Sequence, residues 1–290
     1  MRTASSPCPT CQCADQSLCP ARPIKEYAMT KTILITGAGT GIGKDTAKRL
    51  LARGHTVYVT TYSESEVSAL QLELGSSARV FKLDITKAED RSKIASLELD
   101  VLINNAAQNL SGSLADVKID RVRRLFEVNL FSSLELTQIA IRSMIARGGG
   151  TVIFMSSIVG RIPEPFVMPY SMTKFAISAA AAGLREEMKA LGKGIHVSVV
   201  EPGPYNTGFN QQLLNSQFEA IEEEGSIFSQ AQIEARRKAS HRRLQFLEVG
   251  STDTIVRKIV SAAEARKPRL RYVAPWTFAV LVRLLRIAGI

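Results

Sequence analysis

The chain has 290 residues, 45% of them hydrophobic, which is enough for a sizeable core in one large domain or two small ones. Its net charge of +10 favours solubility and a weak attraction to anions. An aromatic content of 6% without a recognition motif argues against nucleic-acid binding. The three histidines are scattered without metal-ligand spacing, so we expect no metal site from them.

Residues 1–28 differ from the rest of the chain. All four cysteines lie there (Cys8, Cys11, Cys13 and Cys19), among several prolines and without hydrophobic periodicity. We interpret this segment as a disordered tail or the product of an upstream start site. Four thiolates holding zinc or an iron–sulfur cluster are the alternative. The segment lacks the apolar stretch of a secretory signal, so cytoplasm is the expected location.

The first predicted strand runs into a glycine-rich turn. Residues 32–36 are mostly β-branched, as in a buried parallel strand, and a helical pattern follows the turn. Such a turn lets the backbone approach a pyrophosphate, and the following helix offers free N–H groups. A tight strand-to-helix turn needs glycine in any case, so the motif alone does not decide. The candidate residues are Gly37, Gly39, Thr40, Gly41, Ile42 and Gly43.

Strands and helical stretches then alternate to about Val200. This order predicts one α/β unit with a parallel sheet. The further predicted strands are residues 57–63, 80–83, 101–103, 151–156 and 197–201.

Tyr170 and Lys174 are candidate catalytic residues because they lie four residues apart, on one face of a helix. A tyrosine titrates near pH ~10, and a neighbouring positive charge favours the phenolate. Ser157 ends the strand before them, where its hydroxyl can hold a substrate oxygen. Each residue alone is common by chance, so the combination carries the prediction.

The pattern from Thr36 to Gly43, with glycines at 37, 41 and 43, resembles the cofactor motif of short-chain dehydrogenases/reductases. Further matches follow in the family's order over roughly residues 30–275: Asp84, Asn104-Asn105-Ala106, Asn129, Ser157, Tyr170, Lys174, Pro202-Gly203 and Thr207. The resemblance implies an α/β fold with a Rossmann-like doubly wound parallel sheet. It implies a single domain, residues 29–275, with a helical substrate lid at about 208–249.

The resemblance also implies an NAD(P)(H)-dependent oxidoreductase that interconverts a secondary alcohol and a ketone or aldehyde. Tyr170 would be the acid/base, and Lys174 would lower its pKa and bind the nicotinamide ribose. Ser157 would orient the substrate oxygen, and Asn129 would hold a water that relays protons to Lys174. A catalytically idle, cofactor-binding regulatory protein of the same fold is the alternative.

Other positions are implied to contact the cofactor. Asp84, next to Ile85, would accept a hydrogen bond from adenine, or alternatively cap a helix. Asn105 and Ala106 would line the groove. The residues implied to pass beside the nicotinamide carboxamide are Pro202, Gly203, Tyr205 and Thr207.

The end of the second strand bears on the choice of coenzyme. An acidic residue there would bind the ribose 2′-hydroxyl and repel a 2′-phosphate, but Thr61 takes that place and Tyr62 follows. Hydroxyls at residues 60, 61 and 63, with Lys44 nearby, could bind the phosphate. NADP(H) is therefore favoured over NAD(H).

The lid and the C-terminus are the most individual parts of the chain. We expect the acidic run 222–224 and the basic runs 236–238 and 242–243 to be solvated helix faces, with contact to an acidic substrate or a membrane as the alternative. The helix between Asp84 and Asn104 should be short. The apolar segment 276–290 is too short to span a bilayer and is expected to cover the substrate pocket or a neighbouring subunit. An amphipathic interfacial helix is the alternative.

The expected partners follow from these features. The substrate should be a small hydrophobic carbonyl or alcohol compound. The Ala-rich part of the Tyr170 helix favours a homodimer or homotetramer, since relatives commonly pair through that helix.

Overall fold

A computed structural model of the protein describes residues 30–288, without the side chains at 217, 219, 220 and 222–224. The cysteine-rich segment, with its interpretations as a tail or a metal site, lies outside the described residues. So do the side chains of the acidic run in the lid.

A parallel sheet forms the centre of the fold, and its strand order is β3-β2-β1-β4-β5-β6-β7. Every neighbouring pair is parallel. The strands are β1 (Thr32–Ile35), β2 (Thr56–Thr61), β3 (Ala78–Lys82), β4 (Val101–Asn104), β5 (Gly150–Met155), β6 (Ile195–Pro202) and β7 (Arg271–Ala274). The predicted doubly wound, Rossmann-like α/β fold is confirmed.

Helices connect the strands and cover both faces of the sheet. Those in the first half are α1 (Gly41–Leu51), α2 (Ser65–Leu74), α3 (Ala88–Ser92), α4 (Ile119–Phe126) and α5 (Ser132–Ala146). Those in the second half are α6 (Met168–Leu191), α7 (Phe209–Glu224), α8 (Gln230–Leu247), α9 (Asp253–Glu264) and α10 (Trp276–Ile287). The predicted short helix after Asp84 is α3, which continues as a 3-10 turn over Lys93–Ser96.

The strands read as continuous apolar runs because both faces of the sheet are buried. Ile33 and Ile35 of β1 face one core, which α1 and α9 cover. Leu34 between them faces the other core, which α5 and α6 help to form. Successive side chains of a strand point to opposite faces, so each strand supplies both cores.

The parallel arrangement directs the carboxyl ends of all strands to one edge. The connection leaving β1 turns towards β2, whereas β4 lies on the other side of β1. A crevice opens where neighbouring connections diverge in this way, and open α/β sheets bind their ligands there.

Strand β7 was not predicted. It is four residues long and pairs with β6 at the sheet edge, with Val200 opposite Tyr272. The buried carboxylate of Glu201, next to Val200, forms ion pairs with Arg161 and with Arg271 of β7. Strand β7 therefore precedes the apolar segment 276–290.

Leu102→Ala tests the double burial of the central strands. Leu102 is fully buried in β4, so the substitution removes core contacts and should lower the free energy of unfolding by about 2–5 kcal/mol. Leu72→Ala on α2 is the matched control, because Leu72 is 87% exposed. This substitution should change the free energy of unfolding by no more than about 0.5 kcal/mol. Urea unfolding measures both. Equal losses in the two variants would contradict the burial argument.

Candidate active site

The glycine turn after β1 is packed tightly against the loop after β4. Gly37 has φ +59°, and a Cβ there would lie 2.8 Å from the Cα of Ala106. A Cβ on Gly43 would lie 2.6 Å from Nδ2 of Asn105. The turn therefore needs glycine at both positions, for the close approach of two backbone segments.

Thr36 and Asn105 hold this contact in place. The hydroxyl of Thr36 accepts hydrogen bonds from the backbone N–H groups of Asn105 and Ala106, each at 3.0 Å. Asn105 Nδ2 in turn donates to the carbonyls of Thr36 and Gly37, each at 2.9 Å. The Asn105 side chain thus braces the turn.

The N-terminus of α1 opens on the same place. Thr40, its N-cap residue, makes no side-chain capping bond, and the first turn carries no acidic residue. Helix N-terminal N–H groups and the helix dipole favour an anion. The turn and helix therefore suit the pyrophosphate of a dinucleotide, and their binding of it stays a prediction.

Tyr170 and Lys174 lie one turn apart at the beginning of α6, and both are buried. The ammonium of Lys174 lies 5.3 Å above the centroid of the Tyr170 ring and donates to the Met155 carbonyl at the end of β5, at 2.9 Å. Phe209 of the lid packs against the same ring, with 5.6 Å between the ring centroids. The two predicted catalytic side chains are therefore in contact beneath the lid.

Burial decides the titration of this pair. Loss of solvent lowers the pKa of Lys174 to about 7, because it disfavours the ammonium. The same loss raises the pKa of Tyr170, because it disfavours the phenolate. Burial thus sets the direction of the Tyr170 pKa, and the expected lowering of this pKa by Lys174 stays a prediction.

Ser157 follows β5 and faces the same cavity as Tyr170 and Lys174. Its hydroxyl accepts a 3.4 Å hydrogen bond from the Val159 N–H and lies 3.5 Å from the Pro202 carbonyl oxygen. Both contacts are long, so this hydroxyl can reorient towards a substrate oxygen.

Asn129 occupies a π-helical turn, Glu127–Phe131, between α4 and α5. Its side chain accepts from the Gln108 N–H at 2.8 Å and donates to the Gln108 carbonyl at 3.0 Å. It also donates to the hydroxyl of Thr173, the neighbour of Lys174, at 3.1 Å. Asn129 thus links the loop after β4 to the Tyr170 helix, and its role with a relay water stays a prediction.

A cavity of about 810 Å³ joins the two halves of the site. Phosphate-site and catalytic residues share this one space, although more than 100 residues separate them in sequence. The predicted residues that line it are Gly37, Thr40, Gly41, Ile42, Gly43, Asn105, Ser157, Tyr170, Lys174, Pro202, Gly203, Tyr205 and Thr207.

Tyr205 contributes less of its side chain than expected. It is buried in the core, and its hydroxyl lies 2.7 Å from that of Thr254 on α9. A chain segment leaving a strand can line a groove with its backbone while its side chain anchors the segment elsewhere.

The remaining predicted cofactor positions do not line this cavity, namely Gly39, Thr61, Tyr62, Asp84, Ile85 and Ala106. Asp84 and Ile85 are buried, and one Asp84 carboxylate oxygen accepts from the N–H and hydroxyl of Thr86, at 3.0 and 2.7 Å. This bracing resembles the alternative capping role, but the N-cap of α3 is Lys87.

The end of β2 offers fewer phosphate ligands than the sequence suggested. Thr60 and Thr61 are buried, and their hydroxyls are bonded to the Gly37 N–H at 3.2 Å and the Ser63 carbonyl at 2.9 Å. Lys44 lies 3.2 Å from the carboxylate of Glu73. The hydroxyls of Ser63 and Ser65 lie near the surface and are hydrogen-bonded to each other at 2.7 Å.

Glu66 was missed by the sequence reasoning. It lies in the first turn of α2, and its Oε2 is 4.0 Å from where a Cβ on Gly39 would be. A carboxylate therefore stands beside the glycine turn after all, supplied by a helix instead of the end of β2. The sequence did show an acidic residue at the start of the helix that follows the second strand, and this could have indicated a carboxylate near the glycine turn.

The lid is helical, as predicted, and is formed by α7 and α8. Two arginines of its basic runs, which we expected to be solvated helix faces, also contact the loop before α6. The Arg236 guanidinium lies 3.5 Å from the centroid of Phe166 and donates to the Pro165 carbonyl at 2.9 Å. Arg243 forms a 2.6 Å ion pair with Glu164. Both arginines fasten α8 to the loop before α6.

Two further features concern only residues 30–288. No group of three or more His, Cys, Asp or Glu side chains there could hold a metal ion. Within the same range, no helix has the length and apolar character needed to cross a membrane.

Comparison with known proteins gives the same family. The family model for short chain dehydrogenase matches residues 31–217. The uncharacterized oxidoreductase YbbO of Escherichia coli K12 is 27% identical over 265 residues, 89% of this chain and 91% of that protein. The 11-beta-hydroxysteroid dehydrogenase type 2 of Oryctolagus cuniculus is 34% identical over 200 residues, 64% of this chain and 48% of that protein.

Solved structures share the fold. A short-chain dehydrogenase from Streptomyces avermitilis has a TM-score of 0.74 at 25% identity, covering 90% of this chain and 94% of that one. A short-chain dehydrogenase from Sphingobium yanoikuyae in complex with NADPH has a TM-score of 0.66 at 22% identity, covering 90% of this chain and 96% of that one.

The chain belongs to the short-chain dehydrogenase/reductase family. It is an oxidoreductase of the kind that acts on CH–OH groups with a nicotinamide cofactor.

Lys174→Met tests the buried ammonium. The unfolded chain keeps this proton up to the ordinary pKa of 10.5, whereas the folded protein loses it at about 7. Below about pH 7 the folded wild type holds a buried Lys174 ammonium, and its free energy of unfolding is lowest there. This free energy rises as the pH increases towards 10.5. The melting temperature of wild type minus that of Lys174→Met should therefore increase by several degrees between pH 7 and 10.

The matched control is Lys189→Met, an exposed lysine on the same helix, whose difference from wild type should not change with pH. Thermal unfolding of the three proteins across this pH range measures the effect. A pH-independent difference between wild type and Lys174→Met would contradict it.

Proposed function

We propose that the protein interconverts a hydrophobic secondary alcohol and the corresponding ketone or aldehyde. The carrying observation is that one cavity contains the glycine turn, Ser157, Tyr170 and Lys174, and continues beneath an apolar lid. The apolar residues around that part of the cavity are Val159, Ile162, Val167, Phe209, Leu213, Leu214, Leu244, Leu247 and Phe278. Relatives named as hydroxysteroid dehydrogenases support a bulky, hydrophobic substrate.

The residues of the glycine turn and the α1 N-terminus would hold the pyrophosphate, and Pro202, Gly203 and Thr207 would border the nicotinamide. When bound, the nicotinamide supplies or accepts the hydride, which no side chain can do. The open cavity wall at the α1 N-terminus fits this assignment, because the helix N–H groups there lack a side-chain cap.

Tyr170 moves the proton. In reduction its phenol donates to the substrate oxygen, and in oxidation its phenolate removes the proton from the alcohol. The Ser157 hydroxyl orients and polarises the same oxygen. Lys174, whose ammonium lies against the Tyr170 ring, would bind the nicotinamide ribose, and Asn129 would hold a water that relays protons to Lys174.

The raised pKa of Tyr170 gives the two directions different pH dependences. Burial keeps the phenol protonated through neutral pH, which is the form that reduction needs. Oxidation needs the phenolate and therefore gains from alkaline pH. Reduction therefore uses the form of Tyr170 that predominates at neutral pH.

We also propose NADP(H) as the preferred coenzyme. The support is that Thr61 takes the place of the acid that would repel a 2′-phosphate, while Ser63 and Ser65 leave hydroxyls exposed beside it. The negative charge of Glu66 would repel the 2′-phosphate, so we expect only a modest preference for NADP(H). Cytoplasmic location and pairing of two or four copies through α6 stay predictions.

Tyr170→Phe tests the reaction. Oxidation of NADPH is followed against a panel of steroid, aliphatic and aromatic ketones and aldehydes. On any substrate that wild type turns over, the variant should lose at least about 100-fold in kcat, because the phenol proton is gone. Tyr58→Phe is the matched control, since the Tyr58 hydroxyl bonds to Arg79 away from the cavity.

Two results would contradict this function. Full activity of Tyr170→Phe would remove the acid/base role. Tight NADPH binding without turnover of any compound in the panel would favour the idle, cofactor-binding alternative.

Glu66→Gln tests the coenzyme preference. Two unit charges about 4 Å apart in water repel by roughly 1 kcal/mol, so removing a carboxylate that stands beside the 2′-phosphate should raise the ratio of kcat/KM for NADPH over NADH about fivefold. Glu186→Gln, an exposed carboxylate far along α6, should leave the ratio unchanged. An unchanged ratio in Glu66→Gln would place the 2′-phosphate elsewhere.

A further inference from the structure

Helix α10 carries an apolar face that no other part of residues 30–288 covers. Trp276, Val280, Leu284 and Ile287, which we call the α10 stripe, recur at helical spacing, and all are exposed. The exposed fraction of the Trp276 side chain is 73%. Val282 is the buried residue of this helix. Such a continuous apolar face on a surface helix marks an interaction site.

The α10 stripe adjoins the entrance of the active-site cavity. Phe278 and Leu281 of α10 line the cavity, and Leu281 is exposed as well. Phe246 at the end of α8 also lines it and is 87% exposed. Whatever covers the stripe therefore lies next to the opening through which a hydrophobic substrate would enter.

The charge around the stripe selects the partner. At 100° per residue, Arg283 and Arg286 project from one flank of the stripe. The chain has no acidic residue from 265 to 290, and its net charge is +10. A helix with tryptophan and leucine on one side and arginines on its flank fits the boundary between lipid tails and anionic headgroups.

A second copy of the chain fits less well. A two-fold contact through the stripe would bring the arginines of two α10 helices together, and this helix has no carboxylate to pair with them. An anionic lipid surface satisfies both the apolar residues and the arginines.

We propose that the α10 stripe docks the protein on an anionic lipid surface, with the cavity entrance turned towards the lipid. The docking stands on the stripe and the arginines alone. Its consequence, that hydrophobic substrate enters from the lipid, rests on the proposed function. Binding is measured without turnover, so the two can fail separately.

The full chain is mixed with phosphatidylcholine vesicles that contain or lack phosphatidylserine. Trp276 is the single tryptophan of the chain, so its emission reports on the stripe directly. With phosphatidylserine present, the emission should shift to shorter wavelength and the protein should co-sediment.

Two double variants test the two halves of the surface. Leu284→Ser with Ile287→Ser should weaken binding at least about tenfold. Arg283→Ala with Arg286→Ala should weaken binding to phosphatidylserine vesicles on the order of 30-fold, at roughly fivefold per arginine. Leu72→Ser, which alters an equally exposed leucine on α2, should bind as wild type, and circular dichroism checks that each variant is folded.

The proposal is overturned if Trp276 emission does not shift, or if both double variants bind like wild type. It is also overturned if vesicles do not bind and the Leu284→Ser, Ile287→Ser variant dissociates a dimer in sedimentation equilibrium. That result would assign the stripe to a second copy.

Discussion

The site depends on a sheet whose strands are all parallel and covered on both faces. Both faces are apolar, so polar groups collect at the strand ends, and parallel pairing brings the carboxyl ends to one edge. The divergence of the connections after β1 and β4 opens that edge into a crevice. Glycines at 37 and 43 then allow two loops to approach closely enough to form its floor. Phosphate binding and proton transfer can share one cavity only because this edge gathers segments from distant parts of the chain.

Burial of the proposed catalytic pair costs free energy. Lys174 and Tyr170 are both desolvated, which disfavours the charged form of each. The Lys174 ammonium has a hydrogen bond to the Met155 carbonyl and a contact with the Tyr170 ring in place of the water it loses. The Asn129–Thr173 contact positions the helix that carries both residues, and it does so from a π-helical turn, a feature often found near functional sites. The result is a tyrosine held as an acid and a lysine that titrates near neutral pH.

The lid and the C-terminal helix give the site its individual character. Arg236 and Arg243 fasten α8 to the loop just before α6, so movement of the lid must break a cation–π contact and an ion pair next to Tyr170. On the other side of the entrance, β7 and α10 bring apolar residues to the rim, and Glu201 anchors this edge through Arg161 and Arg271. Substrate access is thus governed by elements that lie outside the regular alternation of strands and helices.

The sequence by itself determined the fold class, the glycine turn and the identity of Ser157, Tyr170 and Lys174, because strand patterns, turn glycines and a four-residue helical spacing are local. Only the tertiary structure decided the pKa direction of Tyr170, since burial depends on what the lid and sheet place around it. The sequence did not predict the contacts of Glu66 and Glu201 or the existence of strand β7, and the reason is the same. Glu66 lies beside Gly39, and β7 pairs with β6 at the sheet edge, so both features depend on residues that are distant in sequence. The sequence predicted solvated faces for the basic runs of the lid. Arg243 and Arg236 also meet Glu164 and Phe166, residues about 70–80 positions away, and no local pattern encodes such a contact.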